Sequence, residues 1–146
     1  MAMPEHEDQE KRKRIARQFI EAIPHAQALG LVMDDIGPDG AAISLPWHAD
    51  LVGDPRSGVI HGGVISALMD TCSGAAVMAH PTCPRSTATI DLRIDYMRAA
   101  TPGQAIRAKA HCYHVTRSVA FVRAWAADDD ESRPVATATG AFTIER

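Results

Sequence analysis

The sequence predicts an α+β domain in which an antiparallel sheet wraps around one long central helix. Between residues 62 and 79, apolar side chains recur at steps of three and four, the spacing of a helix with one buried stripe. Segments on both sides alternate apolar and polar residues with the period of two that is typical of strands. Helices and strands do not alternate along the chain, so we do not expect a parallel sheet.

The predicted elements run in the order helix, two strands, helix, then three or four strands. Residues 1–24 are expected to form a charged tail, solvated or frayed over 1–14, and the start of a leading helix that Pro24 ends. Residues 25–146 are expected to form the domain itself, with a short helical piece at 25–29 and a loop at 48–60. The strands are predicted at 31–36, 41–47, 89–96, 105–115, 119–127 and 134–144. In the strand at 89–96, alternation predicts one buried face and one polar face. The buried face is predicted to hold Ile90, Leu92, Ile94 and Tyr96, and the polar face Thr89, Asp91, Arg93 and Asp95.

Composition excludes several classes of protein. A chain of 146 residues can bury a core without disulfides, and its net charge of -3 gives no basic field for nucleic acid or an anionic membrane. No apolar run approaches the ~20 residues of a membrane-spanning helix. The three cysteines form no CxxC pair and no secretory signal precedes them, which favours a reducing cytoplasm. His111, Cys112 and His114 lie on one predicted strand, but only Cys112 and His114 share a face and a third ligand is not evident. We therefore expect no metal and no cofactor.

Two features of the central helix suggest a reactive site. Gly62 and Gly63 open the helix, where free N–H groups and the positive end of the dipole can stabilise a carbonyl oxygen that gains negative charge. A tight turn that needs glycine for packing would explain the same residues. Asp70 lies in mid-helix among apolar neighbours, where it is either a catalytic carboxylate or a solvated side chain.

These residues lie in a segment that resembles a known family. Residues 58–70, GVIHGGVISALMD, resemble the active-site segment of the PaaI-like (phenylacetate-pathway) acyl-CoA thioesterases of the hotdog superfamily, and residues 89–97, TIDLRIDYM, are similar to their central strand. The order of elements agrees over residues 25–146. The resemblance implies a hotdog fold, hydrolysis of an acyl-CoA thioester, and the site residues Asp70 as carboxylate, Gly62 as oxyanion donor, Thr89 as hydroxyl donor and His61 beside them in the loop.

One position departs from the family pattern. Many relatives have an asparagine six residues before the histidine, where this chain has Pro55. Proline has neither a side-chain amide nor a backbone N–H, and the adjacent Asp54 cannot replace that donor while it is ionised. The attacking water or the thioester must therefore be positioned differently, or the substrate range differs.

The spacing along the helix predicts self-association. Asp70 lies about seven residues from Gly63, which is roughly 10 Å at the rise of an α-helix, so one thioester carbon cannot contact both ends. We expect two chains to share the site in a homodimer, or in a homotetramer built as a dimer of dimers. The substrate contacts are predicted at Gly63, at the acyl-pocket residues Val64, Ile65 and Leu68, and at Arg98 and Arg117 for the CoA phosphates unless these are only solvated.

The sequence leaves three questions open. Asp70 could activate water as a general base or attack as a nucleophile. A hotdog hydratase or dehydratase would use the same two positions, but its loop histidine must carry protons. A hotdog domain could also bind an acyl thioester without turning it over, as a sensor or carrier.

Overall fold

The apolar stripe predicted between residues 62 and 79 forms α3 (Gly62–Met78), a helix with four fully buried side chains at its centre. These are Leu68, Met69, Cys72 and Ser73. A computed structural model describes residues 3–146 of the chain. The helix begins after His61, whose imidazole caps it, and it ends shortly before Pro81, which cannot continue a helix.

The remaining elements follow the predicted order. Two helices precede the sheet, and a 3₁₀ turn at Ala49–Leu51 lies in the predicted loop. The helices are α1 (Met3–Glu21) and α2 (Pro24–Leu29), and the strands are β1 (Val32–Gly37), β2 (Gly40–Leu45), β3 (Val52–Asp54), β4 (Val59–Ile60), β5 (Ser86–Tyr96), β6 (Ile106–Val115), β7 (Val119–Ala127) and β8 (Ala136–Glu145).

Six of the strands form one antiparallel sheet in the order β1-β2-β6-β7-β8-β5. Helix α3 packs against β2, β5, β6 and β7, so its apolar stripe is covered by the sheet. Ile43, Leu45 and Ile106 on the sheet are fully buried, and Phe142 is only 1% exposed. The predicted α+β architecture, a sheet wrapped around one long helix, is confirmed.

The leading helix is longer than the sequence pattern predicts. Helix α1 begins at Met3, although residues 1–14 were expected to be a tail or a frayed helix start. Its Glu, Lys, Arg and Gln residues are good helix formers, which explains the difference. Helix α1 packs against β1, and its Ile20 belongs to the core, so it is part of the folded unit. Residues 1 and 2 of the predicted tail lie outside the described residues.

Strand β5 lies at one edge of the sheet, beside β8 alone among the described residues. Ile90, Tyr96 and the adjacent Met97 are 56%, 51% and 60% exposed. Exposed apolar side chains on an unpaired edge are typical of a surface that pairs with another strand. No helix among residues 3–146 is long and apolar enough to cross a membrane.

Candidate active site

The loop before α3 presents one backbone N–H group to the outside. The imidazole Nδ1 of His61 accepts a hydrogen bond from the N–H of Gly63 at 2.8 Å. The backbone carbonyl of His61 accepts another from the N–H of Val64 at 3.0 Å. His61 is itself held by a hydrogen bond from its N–H to the carbonyl of Leu51. The N–H of Gly62 has no acceptor among residues 3–146. This N–H is therefore available to a ligand at the positive end of the helix.

A carboxylate and a hydroxyl meet in the middle of the same helix. The Oγ1 of Thr89 on β5 donates to Oδ1 of Asp70 on α3 at 2.6 Å. A hydrogen bond this short is typical of a charged acceptor. Asp70 is half-buried and lines an open cavity of about 440 Å³, so its carboxylate is accessible to a small molecule. The structure thus brings together two of the four predicted catalytic residues.

A β-bulge turns Thr89 toward the helix. Thr89 lies opposite Phe142 and Asp91 lies opposite Ala141, so Ile90 is an extra residue in β5. Strict alternation predicts Ile90 on the same buried face as Leu92, with Thr89 on the polar face. That prediction is wrong for both residues, because the bulge reverses the alternation before Asp91. Ile90 is exposed, and Thr89 contacts α3.

The other end of β5 is fastened to the start of α3 by Tyr96. Its hydroxyl donates to the carbonyl of Gly62 at 2.8 Å and also contacts the hydroxyl of Ser66. This contact was not predicted, since alternation assigns Tyr96 only to an apolar face. A tyrosine at a strand end does indicate that a contact of this kind is needed, because its hydroxyl requires a hydrogen-bond partner when its ring packs against the protein.

The two halves of the site are separated within one chain. Gly62 and Asp70 lie eight residues apart in an uninterrupted helix, which is about 12 Å. On β5, Tyr96 forms a hydrogen bond with Gly62 at the start of α3, and Thr89 forms one with Asp70 farther along the helix. A single carbonyl group cannot contact the N–H of Gly62 and the carboxylate of Asp70 of the same chain.

The predicted acyl pocket differs from the cavity beside Asp70. Ile65 is only 3% exposed and Leu68 is fully buried, because both face the chain's own sheet. Val64 is half-buried beside that core, and Gly63 is exposed with its N–H used by His61. The cavity beside Asp70 is lined by both polar and apolar residues. The apolar residues include Phe19 and Ile23 near the end of α1, Met78 on α3 and Phe142 on β8, and the polar ones include His25, Ser86 and Thr87.

Pro55 lies on the surface at some distance along the chain from the helix start. It occupies the turn between β3 and β4, where Asp54 accepts hydrogen bonds from the N–H of Arg56 and the hydroxyl of Ser57. Asp54 therefore stabilises the turn. Pro55 is exposed and fixes the backbone there.

The CoA-phosphate role predicted for Arg98 is not supported. Its guanidinium forms a bidentate ion pair with Asp128, with both N···O distances at 2.7 Å. Its remaining N–H groups donate to the carbonyls of Ala99, Asp130 and Arg133. The arginine holds the pKa of the buried Asp128 carboxyl well below its usual range. Every donor of Arg98 is thus used inside the protein.

Arg117 is the other predicted phosphate contact. It is exposed in the turn between β6 and β7, which the hydrogen bond from the N–H of Thr116 to the carbonyl of Val119 closes. Its guanidinium contacts no acceptor among residues 3–146, so it is free to bind an anion.

Comparison with known proteins identifies the family of the chain. Residues 57–134 match the family model described as the thioesterase superfamily. The chain is 25% identical over 145 residues to the medium/long-chain acyl-CoA thioesterase YigI of Escherichia coli, with 90% of this chain and 92% of that protein covered.

Solved structures share the fold over most of their length. A crystal structure of a Pseudomonas aeruginosa protein is 40% identical, has a TM-score of 0.80, and is matched over 90% of this chain and 97% of that one. A variant of the phenylacetic acid degradation protein PaaI from Thermus thermophilus is 27% identical with a TM-score of 0.72, over 83% of this chain and 98% of that one. The predicted resemblance is confirmed: the chain is a thioester hydrolase with the hotdog fold and belongs to the thioesterase superfamily.

Proposed function

We propose that the protein hydrolyses acyl-CoA thioesters to a free acid and CoA, at sites that two copies of the chain build together. The observation that carries the proposal is the hydrogen-bonded pair Asp70 and Thr89 in an open cavity, about 12 Å along α3 from the free N–H of Gly62. The related YigI protein is named for activity on acyl-CoA, which supports the choice of substrate.

Each group has a defined part in the reaction. In the general-base form, the Asp70 carboxylate removes a proton from water as its oxygen bonds to the thioester carbon. The carbonyl oxygen becomes an oxyanion, which the Gly62 N–H stabilises. The carbon–sulfur bond then breaks, and the CoA thiolate takes the proton. In the nucleophilic form, the Asp70 carboxylate bonds to the thioester carbon and the carbon–sulfur bond breaks, which releases the CoA thiolate and leaves an anhydride between Asp70 and the acyl group. Water then hydrolyses the anhydride to the free acid and the Asp70 carboxylate, and its proton goes to the CoA thiolate.

Strand β5 supplies a pairing surface that would assemble this site. The bulge leaves Thr89 and Tyr96 six pairing positions apart, with Arg93 at the midpoint. Two β5 edges that pair antiparallel about Arg93 therefore place Thr89 of one copy opposite Tyr96 of the other. Since Thr89 holds Asp70 and Tyr96 holds Gly62, each Asp70 then lies near the partner's Gly62. A two-fold axis makes two such sites. We therefore expect a dimer as the smallest active form, and a tetramer as a dimer of such dimers.

The alternatives are less well supported. A hydratase or dehydratase needs a proton-carrying histidine, whereas Nδ1 of His61 is occupied by the Gly63 N–H and serves as a helix cap. A binding protein that does not react has no need for a carboxylate with a dedicated hydroxyl partner. Arg117 remains our candidate for a CoA phosphate. The three unpaired cysteines agree with the cytoplasmic location that we propose.

A panel of acyl-CoA substrates scored by release of free thiol tests the function. We expect hydrolysis that depends on time and enzyme for at least one acyl class. Hydration of an enoyl-CoA without thiol release would support the hydratase, and saturable binding with no reaction would support the carrier. Sedimentation in the same buffer tests the assembly, since a fully active monomer would contradict the shared site.

A further inference from the structure

Two cavities of this chain, one of mixed polarity beside Asp70 and one largely apolar, share a pair of lining side chains. The Asp70 cavity, defined above, is bounded by Phe19 of α1 and Met78 of α3. A second space of about 710 Å³ lies between α1, the turn from β1 to β2 and the residues after α3, and it is bounded by the same Phe19 and Met78. We call this second space the α1 groove. The two cavities are therefore adjacent, with Phe19 and Met78 lining both of them.

We propose that the acyl chain of the substrate extends from Asp70 past Phe19 and Met78 into the α1 groove, so that α1 determines the acyl chain length that the enzyme accepts. This inference rests on the proposed acyl-CoA hydrolysis. Helix α1 lies outside residues 57–134, which match the family model, whereas Met78 and Ala79 of the groove lie within them.

The length of the path sets the chain length at which α1 becomes important. Asp70 and Met78 are eight residues apart on α3, which is about 12 Å. With C–C bonds of about 1.5 Å, an extended alkyl chain advances roughly 1.3 Å per carbon. About nine carbons therefore reach Met78. A hexanoyl group ends inside the Asp70 cavity, whereas a myristoyl group must place its last carbons in the α1 groove.

The lining of the α1 groove suits a hydrocarbon. Ile36, Ala79 and Ile15 of α1 line the groove, and Ile15 is 44% exposed. Lys11, which is positively charged, also lines it. An alkyl chain in the groove would shield these apolar surfaces from water. Each buried methylene then improves binding by about fourfold. A chain of this length therefore gains affinity from the groove that a hexanoyl group does not.

A pair of matched substitutions tests the path. Ile15→Lys places a charge in the α1 groove at an exposed position, so folding should survive. Val32→Lys is the control, since Val32 is an aliphatic residue of similar exposure, 49%, that lines neither cavity. We expect Ile15→Lys to lower kcat/KM for myristoyl-CoA at least tenfold and to leave hexanoyl-CoA within twofold of wild type. Val32→Lys should change neither value.

Equal rates for Ile15→Lys and wild type on both substrates, or an equal loss on both, would overturn the role of α1. Thiol release from no acyl-CoA at all would overturn the proposed function instead. The two failures are therefore distinguishable, because the first is measured on an active enzyme.

Chemical protection of Cys83 gives a readout that does not depend on turnover. Cys83 is exposed and lines the α1 groove, whereas Cys72 and Cys112 are buried. Burial raises the pKa of Cys72 to about 12 and also raises that of Cys112, so both should react slowly with N-ethylmaleimide. The S-tetradecyl thioether of CoA should slow labelling of Cys83 at least fivefold, and the S-hexyl thioether should not. Equal labelling with both thioethers would overturn the inference, and Cys83→Ser identifies the labelled residue.

Discussion

The hydroxyl of Thr89 donates a hydrogen bond of 2.6 Å to the carboxylate of Asp70, although a strictly alternating strand would point Thr89 away from the helix. The β-bulge at Ile90 produces this relationship, since it adds one residue to β5 between Thr89 and Asp91. The bulge thus has a direct chemical consequence. It fixes one oxygen of the carboxylate, and the other oxygen has no hydrogen-bond partner among residues 3–146.

Asp70→Asn should abolish most of the hydrolysis while the fold is retained. The substitution keeps the shape of the side chain but removes its charge and basicity. A general base contributes about 100- to 10,000-fold, so we expect a loss of at least 100-fold in kcat, with little change in substrate binding. Asp91→Asn is the matched control, because Asp91 is an exposed carboxylate two residues after Thr89 on the same strand. Thiol release by Asp70→Asn within threefold of wild type would remove Asp70 from the mechanism.

Thr89→Val should lower kcat by about 10- to 100-fold, which is about 1.4 to 2.7 kcal/mol of transition-state stabilisation, because the Asp70 carboxylate loses the hydrogen bond that orients it. Valine has nearly the same shape, and Thr89 is exposed, so the melting temperature should change little. Thr89→Ser keeps the hydroxyl and should restore most of the rate. Equal rates for the valine and serine variants would show that the hydroxyl does not act through Asp70.

The sequence predicts the helix and its chemistry better than it predicts the strand opposite. Residues 62–79 have an unmistakable apolar stripe, and the paired glycines and Asp70 fall at recognisable positions on it. The face of Thr89 could not be predicted from β5 alone, because a bulge depends on pairing with β8 and leaves no mark in the alternation. The family resemblance predicts Thr89 as a hydroxyl donor, and its hydroxyl does contact Asp70, although the periodicity placed it on the other face.

Two of the predicted substrate contacts, Ile65 and Arg98, have other partners within the fold. Ile65 belongs to the same stripe as Leu68, and helical spacing cannot tell whether a stripe faces a sheet or a ligand. Arg98 follows β5 and looks like a free cation in the sequence, but its partner Asp128 is distant along the chain. Long-range ion pairs of this kind become visible only in the fold.

His61→Asn should keep measurable hydrolysis, because asparagine is a good helix cap and can accept the hydrogen bond from the Gly63 N–H. His61→Ala should lower the free energy of unfolding by about 1 kcal/mol through loss of that cap. Thermal unfolding and thiol release, measured on both variants, separate a structural role from a catalytic one. If His61→Asn were as inactive as Asp70→Asn, the histidine would carry protons and the dehydratase would be favoured.

Asp128→Asn should destabilise the protein at neutral pH by about 3 kcal/mol, since it leaves the charge of Arg98 without its buried partner. The hydrogen bonds from Arg98 lower the pKa of Asp128 in the folded state. The carboxylate therefore stabilises the fold above its unfolded pKa of about 3.9, and this stabilisation is lost as the pH falls toward the folded pKa.

Denaturation by urea between pH 7 and pH 3 checks this sign. The wild type should lose stability as the pH falls below about 4, and Asp128→Asn should show a shallower decline. Asp95→Asn is the control, because its ion pair with Arg93 is exposed and should contribute less than about 1 kcal/mol. Parallel pH profiles for the wild type and Asp128→Asn would contradict the role assigned to the pair.

Gly62→Pro should remove the oxyanion donor without disturbing the helix. Gly62 is the first residue of α3, where proline is favoured, and the extended backbone of His61 suits a residue before proline. Proline has no N–H, so we expect kcat to fall by about 100- to 1000-fold. Gly62→Ala keeps the N–H, and its Cβ would lie 3.4 Å from the Tyr96 ring, an ordinary contact, so this variant should stay active.

Mixing the two inactive variants then tests whether two copies share the site. In a dimer of one Gly62→Pro chain and one Asp70→Asn chain, a shared geometry restores one complete site, formed by Asp70 of the first chain and Gly62 of the second. Random exchange of subunits makes half of the dimers mixed, so the activity should recover to about a quarter of that of wild type. If each site were built within one chain, every site in the mixture would carry one defect, and the mixture would stay as inactive as its components. Recovery of thiol release on mixing is therefore expected only if the roughly 12 Å between Gly62 and Asp70 is bridged by a second subunit.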